Sequence, residues 1–229
     1  MPILPRRFQK LKSVLNCRMS DLTILLEEVE KPHNLSAIVR SCDAVGVLEA
    51  HIVSKKNRIQ TFNSTAQGSQ KWISLKEHEN IERAVATLKK NGYKLCGTNL
   101  SVNAIDYRHC DYTGPTAFVL GAEKWGLSKP ATELMDEAIF IPMQGMVQSL
   151  NVSVAAGALL YEALRQRESS GNVPKNGEGI PKDKYDQVLF EWSYPEVASW
   201  CKKEGREYPL LNSTGEIIED LPRKIKLRC

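Results

Sequence analysis

The sequence lacks any run of about 18 apolar residues, the length that a membrane-spanning helix needs. Its first residues lack the apolar segment of a secretory signal peptide, so we expect neither a membrane anchor nor secretion. The six cysteines form no CxxC pair and have no regular spacing, which favours reduced thiols in the cytoplasm over a disulfide framework. With 42% hydrophobic and 25% charged residues, the composition is that of an ordinary globular protein.

Several common catalytic and cofactor motifs are also missing. The four histidines show no metal-ligand spacing and no HExxH occurs, so we predict no metal site. No GxGxxG follows the first predicted strand, which argues against an ordinary dinucleotide site. Segment 121–128 has the glycine spacing of a P-loop, but Leu127 stands where the phosphate-binding lysine must be. Ser149 lacks the context of a nucleophile elbow, which argues against a hydrolase.

What the sequence does contain is an alternation of apolar strands and amphipathic helices. Strands are predicted at 22–26, 50–53, 72–75, 94–98, 116–120 and 138–141, with helices between most of them and a long one from 151 to about 167. This order predicts an α/β fold with a mostly parallel sheet covered on both faces. We divide the chain into a basic N-terminal helix (1–19), a main domain (20–168) and a C-terminal extension (169–229) interrupted by proline and glycine.

Basic residues concentrate at the two ends of the chain. The first 20 residues and the last eight contain no acid, although the net charge of the whole chain is only +4. The basic residues of the first segment are Arg6, Arg7, Lys10, Lys12 and Arg18. Such arms suit a polyanion, but solvated tails would look the same, so charge alone does not decide. Aromatic residues of the extension, from Trp192 to Tyr208, suit either stacking on bases or anchoring of the extension.

Three polar clusters lie near predicted strand ends, at 34–40, 121–128 and 144–153. The carboxyl ends of parallel strands are where such sheets bind ligands. The third cluster breaks a strand at Pro142 and starts a helix at Asn151, a suitable N-cap. Small residues follow at 155–158, which predicts close approach of another element to Gly157. Arg40 lies off the apolar arc of its helix, where its planar fork suits a phosphate, although an ordinary surface arginine fits equally.

Three segments carry a family resemblance. In chain order they read KPHNLSAIVR (31–40), FVLGAEKWG (118–126) and IPMQGMVQSLNVS (141–153). They resemble the three signature motifs of the SPOUT methyltransferases, and most of all those of members that methylate the ribose of guanosine 18 in the D-loop of tRNA. The resemblance runs over about residues 20–167 and includes the basic N-terminal helix. It implies a Rossmann-like sheet ending in a trefoil knot, S-adenosylmethionine as methyl donor, and a homodimer formed through the knot helix.

The resemblance also implies roles for individual residues. Methyl transfer would depend on Arg40, Asn34, Glu123, Ser149 and Asn151. The donor would lie against Thr98, Asn99, Leu100, Gly121, Ile141, Met143 and Leu150. For the tRNA backbone we expect contacts from Arg6, Arg7, Arg18, Arg165 and Arg167. Two alternatives stay open: a 2′-O-methyltransferase for ribosomal RNA, and an RNA-binding protein without catalysis.

Overall fold

The computed structural model describes residues 2–54 and 71–219. The basic C-terminal residues 223–228 therefore lie outside the described part. The strands are β1 (Leu22–Glu27), β2 (Glu49–Val53), β3 (Ser74–His78), β4 (Lys94–Thr98), β5 (Ile105–Asp106), β6 (Thr116–Leu120) and β7 (Glu137–Phe140). The α-helices are α1 (Pro5–Leu15), α2 (Pro32–Val45), α3 (Ile81–Lys90), α4 (Lys129–Leu134), α5 (Val152–Ser170), α6 (Lys182–Ser193) and α7 (Pro195–Glu204).

The seven strands form one sheet in the order β3-β2-β1-β6-β4-β7-β5, and every pairing between them is parallel. The central strands β1 and β6 are buried along their whole length, and Leu22 to Leu26 pair with Thr116 to Leu120. Continuous apolar runs of this kind are typical of parallel strands that are covered on both sides. The predicted α/β fold is confirmed.

Each face of the sheet has its own apolar core. On one face, Ile24 and Leu26 of β1 pack in a cluster with α2 and α5. On the other face, Leu25 of β1 packs with α3 and Ala131 of α4. This division follows from the two-residue period of a strand, which sends neighbouring side chains to opposite faces. Helices α2 and α5 also pack against each other, so both belong to the layer on the same face of the sheet.

The chain divides into two compact units, whereas the sequence predicts three parts. One unit is Met19–Val173, which holds the sheet. The other combines the described parts of residues 1–18 and 174–229. The N-terminal helix and the C-terminal extension therefore belong together, because the apolar side of α1 packs against α6.

Aromatic residues form the interior of this second unit. Phe190 stacks on Tyr208 at 4.8 Å between ring centroids, and the Tyr194 hydroxyl donates to the Gly215 carbonyl at 2.9 Å. Trp192 is buried beneath the Arg18 guanidinium, which lies 5.4 Å from its ring centroid. Several of the aromatic residues considered for base stacking thus hold this unit together.

Three local details differ from the sequence predictions. Helix α1 spans Pro5–Leu15, which is shorter than the predicted N-terminal helical segment 1–19. Strand β3 begins at Ser74 instead of residue 72, and it is a polar edge strand whose pattern carries little apolar signal. Among the described residues, a Cβ added at Gly157 would meet only Ser41 Oγ, at 3.8 Å, so none of them packs tightly against this glycine.

Within residues 2–54 and 71–219, no helix has the length and apolar character needed to cross a membrane. The same part of the chain contains no group of three or more histidine, cysteine, aspartate or glutamate side chains that could hold a metal ion.

Candidate active site

Three loops at the carboxyl edge of the sheet enclose a cavity of about 410 Å³. The loops follow β4, β6 and β7, which are neighbours in the sheet although they are not consecutive in the chain. A parallel sheet brings the carboxyl ends of its strands to one edge, where ligands bind. The cavity volume lies within the roughly 300–1,000 Å³ of small-molecule sites.

The structure brings together all seven residues expected to contact the methyl donor. Each lines this cavity, and the set is Thr98, Asn99, Leu100, Gly121, Ile141, Met143 and Leu150. Leu120, Leu127 and Phe140 add further apolar surface, and Gln148 and Ser149 add polar groups. The walls are thus mainly apolar side chains and loop backbone.

The loop after β6 folds back on itself at Gly121. A side chain there would collide with the backbone of Gly126, whose carbonyl oxygen lies 2.0 Å from the position of an added Cβ. Gly126 has a φ of +66°, a left-handed conformation that favours glycine, and its N–H donates to the Ala122 carbonyl at 2.8 Å. The two glycines that imitate a P-loop therefore close a tight turn that forms one cavity wall.

Asn34, Glu123 and Asn151 meet in one hydrogen-bonded cluster. The Asn34 amide nitrogen donates to Glu123 Oε1 at 2.6 Å. The Asn151 amide nitrogen donates to the same oxygen at 2.9 Å and to Asn34 Oδ1 at 3.1 Å. Lys31 Nζ forms an ion pair with Glu123 Oε2. One residue from each of the three motifs contributes to this cluster, and Glu123 also lines the cavity.

Asn151 has two tasks that only an amide side chain can combine. Its Oδ1 caps α5 by accepting from the Ser153 N–H at 2.8 Å, which confirms the predicted N-cap. Its Nδ2 points to the Asn34–Glu123 pair. The start of the helix and the polar cluster are therefore fixed by one residue.

The environment of Glu123 keeps its carboxyl ionised. Hydrogen bonds from Lys31 and Asn34 lower the pKa of Glu123 below its ordinary value, because they stabilise the charged form. At neutral pH the cluster thus holds a carboxylate. Such a group is a weak base and a strong hydrogen-bond acceptor.

Ser149 and Arg40, the other two predicted catalytic residues, do not take part in the hydrogen bonds of this cluster. Ser149 is exposed and lines the cavity. Arg40 is exposed on α2, six residues beyond Asn34 or about 9 Å along the helix axis, and it is not part of the cavity wall. The structure brings Asn34, Glu123 and Asn151 together but not Arg40.

Two of the five arginines expected to contact RNA are buried. Arg167 is 1% exposed, and its guanidinium donates to the Tyr112 carbonyl at 3.0 Å, the Gly114 carbonyl at 2.7 Å and Asp21 Oδ1 at 2.6 Å. Arg18 is also 1% exposed. Their expected RNA contacts are corrected to structural roles, because neither side chain reaches the surface. Arg6, Arg7 and Arg165 are exposed.

Comparison with known protein families gives matches over most of the chain. Residues 21–161 match the family model described as the SpoU rRNA methylase family. The chain belongs to this family. A second model, the C-terminal region of SpoU rRNA methylases, matches residues 165–220 of this SpoU methylase.

Relatives of this SpoU methylase cover nearly its whole length. The tRNA (guanosine(18)-2′-O)-methyltransferase of Escherichia coli is 46% identical over 94% of both chains. A crystal structure of a TrmH/SpoU tRNA-modifying enzyme from A. aeolicus superposes with a TM-score of 0.74 at 38% identity, covering 84% of this chain and 97% of that one. The SpoU methyltransferase AviRb of Streptomyces viridochromogenes, solved with the cofactor AdoMet, has a TM-score of 0.59 at 29% identity, covering 66% of this chain and 60% of that one.

The AviRb structure contains the cofactor AdoMet, and the cavity of this SpoU methylase has the size of a small-molecule site. Leu100, Leu120 and Ile141 supply apolar surface to the cavity, while the backbone of the three loops supplies polar groups. Recognition through backbone groups leaves no conspicuous cofactor motif in the sequence.

Lys31 and Leu127 are among the contributors to the site of the SpoU methylase that were not predicted as site residues. Lys31 pairs with Glu123, and Leu127 forms part of the cavity wall. Lys31 lies in the first motif, three residues before Asn34, so its motif position was the available signal. Leu127 stands where a P-loop would have lysine, and an apolar residue at that position indicates a wall instead of a phosphate site.

Proposed function

We propose that this protein transfers the methyl group of S-adenosylmethionine to the ribose 2′-OH of guanosine 18 in tRNA. The observation that carries the proposal is the Asn34–Glu123–Asn151 cluster at the edge of the cavity. Its three residues come from the three motifs that carry the resemblance. The choice of tRNA rests on the near full-length similarity to tRNA (guanosine(18)-2′-O)-methyltransferases.

The polar cluster would orient the ribose. When bound, S-adenosylmethionine supplies a methyl group on a positively charged sulfur. The 2′-OH must be aligned with that methyl group and must lose its proton, so residues that position the ribose contribute to the rate. Glu123 is suited to accept a hydrogen bond from a ribose hydroxyl, and Ser149 lines the same cavity. Because its pKa is lowered, Glu123 is a poor candidate for the proton acceptor.

Arg40 would bind the phosphate next to the target ribose. A guanidinium has a pKa above about 12, which makes it a poor base, but its planar fork can hold a phosphate with two parallel hydrogen bonds. Arg40 is exposed on α2, the helix that also carries Asn34. In this role Arg40 orients the substrate, whether or not it takes the proton.

Finer features of the assembly belong to the same proposal. A trefoil knot would lie in the part of the chain after β6, and the strand order β6-β4-β7 is compatible with it. Two chains would pair through α5, where Val154 and Tyr161 are each 54% exposed on either side of the small residues 155–158. Arg6, Arg7 and Arg165 would contact the RNA backbone. The five described cysteines form no disulfide, which supports a location in the cytoplasm.

The experiment is methyl transfer from isotopically labelled S-adenosylmethionine to three RNAs. These are an unmodified tRNA transcript, the same transcript with adenosine at position 18, and unmodified ribosomal RNA. We expect label in the first alone, and mass spectrometry should place it on the ribose of guanosine 18. Transfer to ribosomal RNA alone would replace tRNA with rRNA as substrate, as the family description suggests. Donor binding in calorimetry without transfer to either RNA would support a non-catalytic RNA-binding protein.

A further inference from the structure

Glu27 is a buried carboxylate outside the polar cluster. It is the last residue of β1, a central strand, and only 7% of its surface is exposed. Its Oε2 accepts a hydrogen bond from the Ser128 N–H at 2.8 Å, and its Oε1 accepts one from the Ser128 hydroxyl at 2.6 Å. A buried carboxylate is costly unless it is hydrogen-bonded, so these contacts must persist in the folded protein. Glu27 does not line the cavity.

Ser128 is the point where the loop after β6 ends. Its hydroxyl oxygen caps α4 by accepting from the Ala131 N–H at 3.2 Å. The same loop begins beside Leu120, which pairs with Leu26, the neighbour of Glu27 in β1. Leu26 therefore holds the start of the loop through its strand pairing with Leu120. Glu27, the next residue of β1, holds the end of the loop through its side chain. Between these ends the loop supplies much of one cavity wall.

The chain just beyond Glu27 contacts the same loop a second time. Glu28 has a φ of 54°, a left-handed conformation that is uncommon for a non-glycine residue. After this turn the chain runs into α2, where Lys31 and Asn34 bind Glu123 in the middle of the loop. The segment 27–34 thus holds loop 121–128 at its end and at its centre. Such double attachment fixes the position of the wall relative to the polar cluster.

We propose that Glu27 is a positioning residue for methyl transfer. It acts through Ser128, holding loop 121–128 in the conformation in which Gly121 and Leu127 line the donor cavity and Glu123 meets Asn34. This inference rests on the proposed function, since it takes the cavity to be the S-adenosylmethionine site. It adds a residue outside the three motifs to the catalytic apparatus.

The test compares Glu27→Gln with the wild-type protein. The amide keeps the shape of the side chain but is neutral and has one acceptor atom, so it cannot accept from both the N–H and the hydroxyl of Ser128. We expect the KM and the calorimetric Kd for S-adenosylmethionine to rise between roughly ten- and a hundredfold, because a displaced wall lowers the precision of binding. The loss of kcat should be smaller. A Ser128→Ala change should weaken donor binding less, and combined with Glu27→Gln it should add little, because both remove the same contact.

A matched control is Asp136→Asn. Asp136 also accepts from a backbone N–H, that of Leu95 at 2.8 Å, and it lies outside the cavity wall. The Asp136→Asn change should lower the melting temperature. At temperatures where the protein is folded, it should leave the KM for the donor unchanged. If Glu27→Gln behaves in the same way, Glu27 is merely structural and the inference fails. If the wild-type protein transfers no methyl group to tRNA, the proposed function fails instead, and if it binds no S-adenosylmethionine, both fail.

Discussion

The side-chain amide of Asn34 donates to Glu123 at 2.6 Å, although 89 positions separate the two residues in the sequence. Asn34 lies in the first turn of α2 and Glu123 in the loop after β6. The parallel sheet makes the contact possible, because β1 and β6 are neighbours whose carboxyl ends lie at the same edge. This pair connects the first motif to the second, and Asn151 connects both to the third.

Replacing Glu123 with glutamine should reduce activity without unfolding the protein. The neutral amide would turn a donor toward Asn34, Asn151 or Lys31, and all three are donors to the present carboxylate. Losing hydrogen bonds to this charged group should lower kcat/KM roughly ten- to a hundredfold. Steady-state methylation of tRNA measures this loss. Glu133→Gln, at an exposed position on α4, is the control and should be fully active; equal rates for both variants would contradict the prediction.

Asn151→Asp should separate the two tasks of Asn151. Aspartate caps a helix about as well as asparagine, so the melting temperature should stay the same. The donor to Glu123 is lost, however, and a second carboxylate is placed against the first. We expect a loss of at least tenfold in kcat/KM with an unchanged thermal transition. An unchanged kcat/KM in this variant would show that the hydrogen bond from Asn151 to Glu123 does not contribute to methyl transfer.

The sequence allowed prediction of the sheet and of the donor cavity, but only part of the remaining site. Alternation of strands and helices predicted the parallel sheet, and the family resemblance predicted seven of the residues that line the cavity. Burial of Arg167 could not be foreseen, because its three partners come from segments far away in the sequence. The pairing of Glu27 with Ser128 was hidden for the same reason. Patterns along a chain report periodicity, whereas these contacts depend on which strands become neighbours.

Arg40→Lys tests the proposed phosphate contact. Lysine keeps the charge but lacks the rigid fork that binds a phosphate with two parallel bonds. We expect kcat/KM for tRNA to fall roughly tenfold or more, with donor binding unchanged, since Arg40 lies outside the cavity wall. Arg83→Lys, at an exposed position on α3, is the matched control. Near-normal turnover of Arg40→Lys would reject the proposal that Arg40 orients the substrate, with or without taking the proton.

Arg167→Met should destabilise the protein. It removes the donors to two carbonyl groups, those of Tyr112 and Gly114, and to the carboxylate of Asp21. We expect a loss of about 2–4 kcal/mol in the free energy of unfolding, measured by urea denaturation.

Arg165→Met is the matched control for this change, two positions earlier on the same helix. Arg165 is exposed and pairs with Glu162, so its replacement should cost far less stability than Arg167→Met. As a proposed RNA contact, it should instead flatten the dependence of tRNA binding on salt, by about 0.7–0.9 in the logarithmic slope. An unchanged slope would remove Arg165 from the RNA surface.

The His51–His78 pair should make the sheet unit less stable in mild acid. His51 Nδ1 and His78 Nε2 are 2.8 Å apart, so one ring donates to the other, and a second proton between these two nitrogens would abolish the hydrogen bond. Burial lowers the pKa of His78 below 6.5, and the opposing effect of Glu49 is smaller. As the pH falls through about 6.5, the unfolded chain takes up a proton before the folded one, so stability is complete above that pH and decreases below it. The melting temperature should therefore drop between about pH 7.5 and pH 5. The test should leave Glu49 and Lys76 unchanged, because both affect the charge near this pair. Glu49 lies 3.5 Å from His51 Nε2, and Lys76 pairs with Glu49. His78→Gln should reduce the drop, because glutamine cannot take up a proton, and an equally steep drop in that variant would assign the pH dependence to other groups.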